Sequence, residues 1–250
     1  MNVLEMSQVL TGSLDLEQAP VAVCFCEQVP AGVPAHEGSA PAGCQFWQQA
    51  AEGSFATSAR DHALCAIGVY THNLEMSGGM ERDLTDALKV FADLGYVRPE
   101  DLPQIPVLSS RPKHVVYGPL ASSPADPDVV LLFVAPSEIL ILSEAAQQVE
   151  GGLPPAMGRP ACAIVPQTAN SGKAALSLGC CGARAYLDVF TPDVALFALP
   201  GKNLAAYVER IDRLAQANRT LTKFHDLRRK RVEQGARPTV QESLADLMAG

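Results

Sequence analysis

The chain has 250 residues, with 19 Lys and Arg against 27 Asp and Glu, a net charge of −8, 48% hydrophobic and 18% charged residues. That composition excludes a disordered chain and suffices for a sizeable core in one or two domains. Acidity and a 6% aromatic content argue against a nucleic-acid partner, which calls for a positive field and stacking platforms.

Met1–Leu10 contains Glu5 and no basic cluster, unlike a secretory signal. No run reaches the roughly 18–20 apolar residues of a membrane span. The expectation is a cytoplasmic protein with no membrane partner. Ala19–Phe25 reads as a Val-rich strand, and Pro30–Gly43 as a Pro/Gly loop. Ala42–Ala51 starts a helix around Cys44, Phe46 and Trp47, and Asp61–Tyr70 reads as a second helix. Gly78-Gly79 reads as a break. Thr85–Leu94 is amphipathic, with Leu84, Leu88, Phe91 and Leu94 recurring at helical spacing. Pro99–Pro106 is an extended connector.

His114–Tyr117 reads as a strand. Val129–Val134 is a buried strand followed by a helix over Pro136–Val149. The continuous apolarity of this unit suggests a partly parallel sheet covered by helices. Cys162–Val165 reads as a strand, Gly172–Leu178 as a short helix and Gly179–Gly182 as a tight turn. Tyr186–Val189 and Val194–Leu199 read as strands, and a long helix runs from about Asn203 to Arg231. The fold class is therefore α/β or α+β, a mixed sheet with helices and a long C-terminal helix. Residues 1–201 form the body, in one unit or two closely packed lobes divided near 99–112, and 202–250 form the C-terminal helix and tail.

Charge divides along the same line. Residues 1–201 hold nine basic and 21 acidic residues, whereas 202–231 hold nine basic and three acidic. The terminal helix carries Leu204, Tyr207, Ile211, Leu214 and Leu221 at three/four spacing, which either packs on the core or pairs two copies as a homodimer. Arg228-Arg229-Lys230-Arg231 reads as a solvated helix end, where cations complement the dipole.

Seven cysteines in a reducing compartment read as free thiols, metal ligands or redox groups. Cys24 and Cys26 lie on the first strand as small buried side chains. Cys44, Cys65, Cys162 and Cys180 differ, because each lies where an apolar segment meets a Gly or polar turn. Such places expose thiolates and let main-chain amides approach a cluster. Four thiolates are the common ligand set of iron–sulfur clusters and of structural zinc. The spacing matches no compact local motif, so convergence depends on the fold. His62, three residues before Cys65, reads as a further ligand or a group beside the metal. Arg184, four after Cys180, reads as a guanidinium near the thiolate or as a surface arginine. Gly43 and Gly179 would offer amides. His36, His72, His114 and His225 have no partner at metal spacing. Asn170-Ser-Gly-Lys173 lacks the glycine and hydroxyl of a phosphate loop.

The early Pro20-Val-Ala-Val strand, Gly43-Cys-Gln-Phe-Trp-Gln-Gln-Ala50, Asp61-His-Ala-Leu-Cys-Ala-Ile-Gly68, Pro160-Ala-Cys162 and Ser177-Leu-Gly-Cys-Cys-Gly-Ala-Arg184 resemble domain-of-unknown-function family 169, the ArCR-type uncharacterised proteins, over roughly residues 15–215. The resemblance implies a cytosolic prokaryotic protein of unassigned activity, with cysteines in recurrent motif positions. It strengthens the grouping of Cys44, Cys65, Cys162 and Cys180 into one site. The function expected from these readings is a cysteine-ligated iron–sulfur or metal-binding protein, with a redox or anaerobic-metabolism role and a small molecule or electron-transfer partner. The alternatives are a protein that binds a small molecule or organic cofactor without metal, and a dimeric scaffold or regulator.

Overall fold

The structure is a computed structural model and describes residues 1–249. Its frame is one seven-stranded sheet of β1 (Val21–Cys26), β2 (Phe55–Thr57), β3 (His114–Pro119), β4 (Val129–Val134), β5 (Ala156–Met157), β6 (Ala175–Ser177) and β7 (Ala195–Pro200), in the order β2-β3-β1-β4-β7-β6-β5. Helices α1 (Val3–Leu14), α2 (Gln45–Gln49), α3 (Ala66–Thr71), α4 (Gly78–Asp93), α5 (Pro136–Glu150), α6 (Ile164–Ser171), α7 (Cys181–Tyr186), α8 (Leu204–Glu233) and α9 (Val240–Ala249) surround it. The class is α+β with a mixed sheet and a long C-terminal helix.

Alternation along the strands sorts the core into two layers. On one face Val21, Val23, Val129, Leu131 and Phe133 meet Phe46 and Trp47 of α2, Val69 of α3 and Ile164 of α6. On the other, Ala22, Val130, Leu132 and Val134 meet Leu10 of α1, Leu142 of α5, and Tyr207 and Ile211 of α8. All six residues of β4 are buried. Each large apolar side chain so buried contributes roughly 1.5–3 kcal/mol. The first half of the α8 stripe is thus used on the chain's own sheet, and Tyr207 adds a hydrogen bond to Glu150 of α5. No helix among the described residues is long and apolar enough to cross a membrane.

Several local expectations are corrected. The sheet is partly parallel, but only at the short β5–β6 pair, and β4, whose apolar run suggested it, is antiparallel to both neighbours. The apolar run of β4 reports helices on both faces, which is independent of strand direction. Cys162–Val165 is a helical turn that enters α6, and β6 lies within the segment read as a helix. Short apolar runs do not distinguish a buried strand from a buried helix. Tyr186–Val189 is the end of α7 and a turn, and only the second half of Asp61–Tyr70 is α-helical. Gly78 and Gly79 open α4 instead of breaking the chain, because the Ser77 hydroxyl accepts the Met80 N–H and caps the helix. Residues 99–104 form a 3-10 turn where an extended connector is expected. At the C-terminus α9 folds back on α8, with Arg231 paired to Asp246 at 2.8 Å and Arg228 donating to Ser243. That engages two of the four basic residues of the helix end.

Gly201 is where the end of β7 passes the β4 entry. A Cβ there would lie 1.6 Å from the Pro127 carbonyl oxygen, a backbone atom that cannot swing aside. Gly201→Ala is expected to destabilise the fold by about 2–4 kcal/mol, read as a lower urea midpoint with an unchanged slope.

Candidate functional site

The four cysteines converge on the α2/α3 face of the sheet. Cys44 precedes α2, Cys65 precedes α3, Cys162 sits in the 3-10 turn Ala161–Ala163, and Cys180 precedes α7. Each segment is pinned by its own packing. Phe46 and Trp47 anchor α2 in the core without exposure. Gln45 donates to the Tyr186 carbonyl, and Gln48 accepts from the Asp188 N–H, which ties α2 to the end of α7. Asp61 accepts from both the N–H and the hydroxyl of Ser58, closing the turn that delivers His62 and Cys65.

All four thiols line one cavity of about 550 Å³. Each lies close enough to the other three for a negative charge on one to oppose ionisation of the next. Burial is the larger influence. It pushes the Cys44 thiol up to about 12, and those of Cys65 and Cys162 upward as well. Without a cation the buried thiols are neutral at physiological pH. Hydrogen-bond donors nonetheless address the sulfurs. The Thr71 hydroxyl donates to Cys162 Sγ at 3.4 Å, and the Ala183 N–H to Cys180 Sγ at 3.5 Å. The backbone groups of Gly43 and Gly68 favour the Cys65 thiolate.

Two glycines make room for this packing. A Cβ on Gly43 would lie 2.9 Å from His62 Cδ2, and one on Gly68 would lie 3.1 Å from Cys65 Sγ. Gly179 takes φ +85°, and a Cβ there would strike the Phe190 ring at 2.6 Å. Substitution at Gly179 therefore meets both backbone strain and a clash.

Behind the thiols lies a buried polar layer. His62 and His72 are almost wholly enclosed, with ring centroids 6.0 Å apart. His62 Nδ1 lies 2.9 Å from the Ser58 carbonyl and His72 Nδ1 2.9 Å from the Gly68 carbonyl, so each Nδ1 carries the proton. The Nε2 of each ring and the Tyr117 hydroxyl are buried without a hydrogen-bond partner. Burial lowers the pKa of both histidines, that of His72 to about 4.

His62 and Cys65 do not share a helical face. His62 occupies the turn before α3, with its ring edge-on to Phe46 at 4.8 Å. Arg184 stacks on Phe190 at 4.6 Å and donates to the carbonyls of Leu178, Phe190, Thr191 and Val194, bracing the strand-to-helix turn that carries Cys180. Cys24 and Cys26 pack in a separate small cluster with Ala56 and Val116. Cys181 is exposed at the cavity wall, and its N–H donates to the Tyr96 hydroxyl at 3.2 Å.

Sequence reasoning assigned no role to Gly68, Thr71, Tyr96, Tyr117 and Arg159, and His72 stood in it only as a histidine without a partner at metal spacing. Of these only Gly68 carried a local signal, three residues after Cys65. Among the described residues, no three of His, Cys, Asp and Glu are arranged to hold a single metal ion. Zinc would draw its four sulfurs to about 2.3 Å from one point. A polynuclear cluster spreads its thiolates over several iron atoms and suits a looser ring of sulfurs around a cavity. The donor set is all-thiol and comes from four separate segments, with an O–H on Cys162 Sγ and an N–H on Cys180 Sγ, which is the donor chemistry such a cluster takes.

A family model described as uncharacterised ArCR, domain-of-unknown-function family 169, matches residues 9–210. No curated protein and no solved structure matches the chain.

Proposed function

We propose that this chain, which belongs to domain-of-unknown-function family 169, holds an iron–sulfur cluster through Cys44, Cys65, Cys162 and Cys180 and serves a redox or anaerobic-metabolism role. The observation that carries the reading is the meeting of four thiols, from four distant segments, on one cavity. When bound, the cluster would supply one-electron transfer. The chain supplies the remainder. Gly68 leaves room for Cys65 Sγ and Gly43 for the His62 ring beside it, Thr71 and Ala183 donate to Cys162 and Cys180, and a mostly apolar wall surrounds the sulfurs. Binding must displace the thiol protons, because a thiolate is the ligand.

The test is anaerobic purification of the full chain, followed by visible absorption and iron and sulfide analysis. Broad absorption near 400 nm with matching iron and sulfide supports the reading. Stoichiometric zinc, or colourless protein that takes up no iron and sulfide on reconstitution, overturns it.

A specific observation favours the second reading, a binding protein whose cysteines only line its cleft. The cavity wall is mostly apolar, and the thiols within it are neutral when free of metal. Colour that persists without iron would mark an organic cofactor and favour that reading.

A further inference from the structure

Helix α4 turns Leu84, Ala87, Leu88 and Phe91 toward the cavity at spacings of three, four and seven, yet none of its 16 residues is buried. An amphipathic helix ordinarily buries its apolar stripe on the core. Here the space beneath the stripe is the 550 Å³ cavity itself, with Ile67 and Ala161 on the opposite wall. That volume is in the range of sites for small organic ligands.

Two charged residues line this cavity, Asp83 and Arg159. They stand toward opposite ends. Asp83 precedes the stripe. Arg159 stacks over the Tyr96 ring at 4.8 Å, and that ring lies 5.9 Å from Phe91, about 12 Å further along the helix axis. Among the described residues no carboxylate pairs with Arg159. Asp101, which senses its charge, is already held by Arg98 through two hydrogen bonds of 2.8 and 2.6 Å. The Tyr96 hydroxyl accepts the Cys181 N–H and also meets the Cys181 thiol, a neutral partner from which a carboxylate can draw the phenol proton. One end of an apolar chamber thus presents an uncommitted guanidinium beside a phenol, a pairing suited to a carboxylate.

We propose that the cavity binds a small organic acid, its apolar body under α4 and its carboxylate at Arg159 and Tyr96. The inference goes beyond the cluster reading, because the apolar wall and the guanidinium bind the acid whether or not the thiols carry iron. It places an acid's apolar body against the four sulfurs, where an electron-transfer partner of the thiol site would stand.

The test titrates 2-naphthylacetate and its neutral counterpart 2-naphthylacetamide into the full chain, purified anaerobically, by calorimetry, with iron measured on the same sample. The acid is expected to bind about tenfold more tightly than the amide. Arg159→Gln, at an exposed position, should erase that preference by weakening the acid alone. Ala87→Trp places a ring in the cavity from a helix with no buried residue, and should weaken both probes. Melting temperatures near that of the unaltered chain would show that neither variant misfolds. Equal binding of acid and amide, an acid preference that survives Arg159→Gln, or no binding at millimolar probe overturns the proposal. Iron-free protein that still selects the acid supports this proposal while counting against the cluster. Iron-loaded protein that ignores the acid does the reverse.

Discussion

Serine in place of Cys162 is expected to strip the anaerobically purified chain of its visible absorption and of most of its iron, whereas Cys181→Ser should retain both. Cys162 is buried, faces the other three thiols, and takes a hydrogen bond from Thr71. A serine hydroxyl there can still accept from Thr71, so the fold should survive while the soft sulfur ligand is lost. Cys181 is exposed and engages Tyr96 through its main-chain N–H, which serine reproduces. Cys44→Ser, Cys65→Ser and Cys180→Ser should follow Cys162→Ser. Cluster binding adds its free energy to folding, so these variants should melt at the temperature of the iron-free chain, well below the loaded one. Full colour in Cys162→Ser would remove that residue from the ligand set.

The iron-free chain should also be acid-labile through its buried histidines. Burial holds the His72 pKa at about 4, against an ordinary value of 6.5, and lowers that of His62 in the same direction. Above pH 6.5 both rings are neutral in the folded and the unfolded chain, and the contribution to stability is fully present. As pH falls below 6.5 the unfolded chain takes up protons that the folded chain refuses, so stability declines until the folded pKa is passed. For His72 the loss amounts to roughly 3 kcal/mol by about pH 4, and His62 adds to it with the same sign. Urea unfolding at pH 7.5, 5.5 and 4.5 should show the fall, and His72→Gln should reduce its slope. A flat profile would mean that the rings take up protons in the fold as readily as in the unfolded chain.

The large elements were legible in the sequence because their patterns were long. The helix over 136–149 and the final helix stand as read, since fifteen to thirty residues outweigh local ambiguity, and the run at 129–134 stands as a strand because Pro127 and Pro136 bound it too closely for a core helix. Residues 162–165 and 172–178 were misread because three or four apolar residues carry no period, and the boundary between them is set by Gly172 at φ +64°, which ends α6. The cysteine contexts were legible because Gly43 and Gly179 directly precede Cys44 and Cys180, Gly68 follows Cys65 by three, and Pro160 stands two before Cys162. Tyr96 and Arg159 were not, because long-range packing brings them to the cavity, and His72 was not, because its place behind the thiols is set by the packing of the core. The α4 stripe was visible, but nothing in its spacing indicated that it would face a cavity instead of a core.

The Gly43–Cys44 loop is made early in the chain and the Cys180 turn only after five more strands have been laid down. No partial chain ending before α7 can present all four sulfurs together. Metal loading at these thiols would therefore report that synthesis has passed Cys180, with β7 and α8 still to follow. On the cluster reading, a pulse-labelled chain would reach its full set of ligands only once residue 180 has been made.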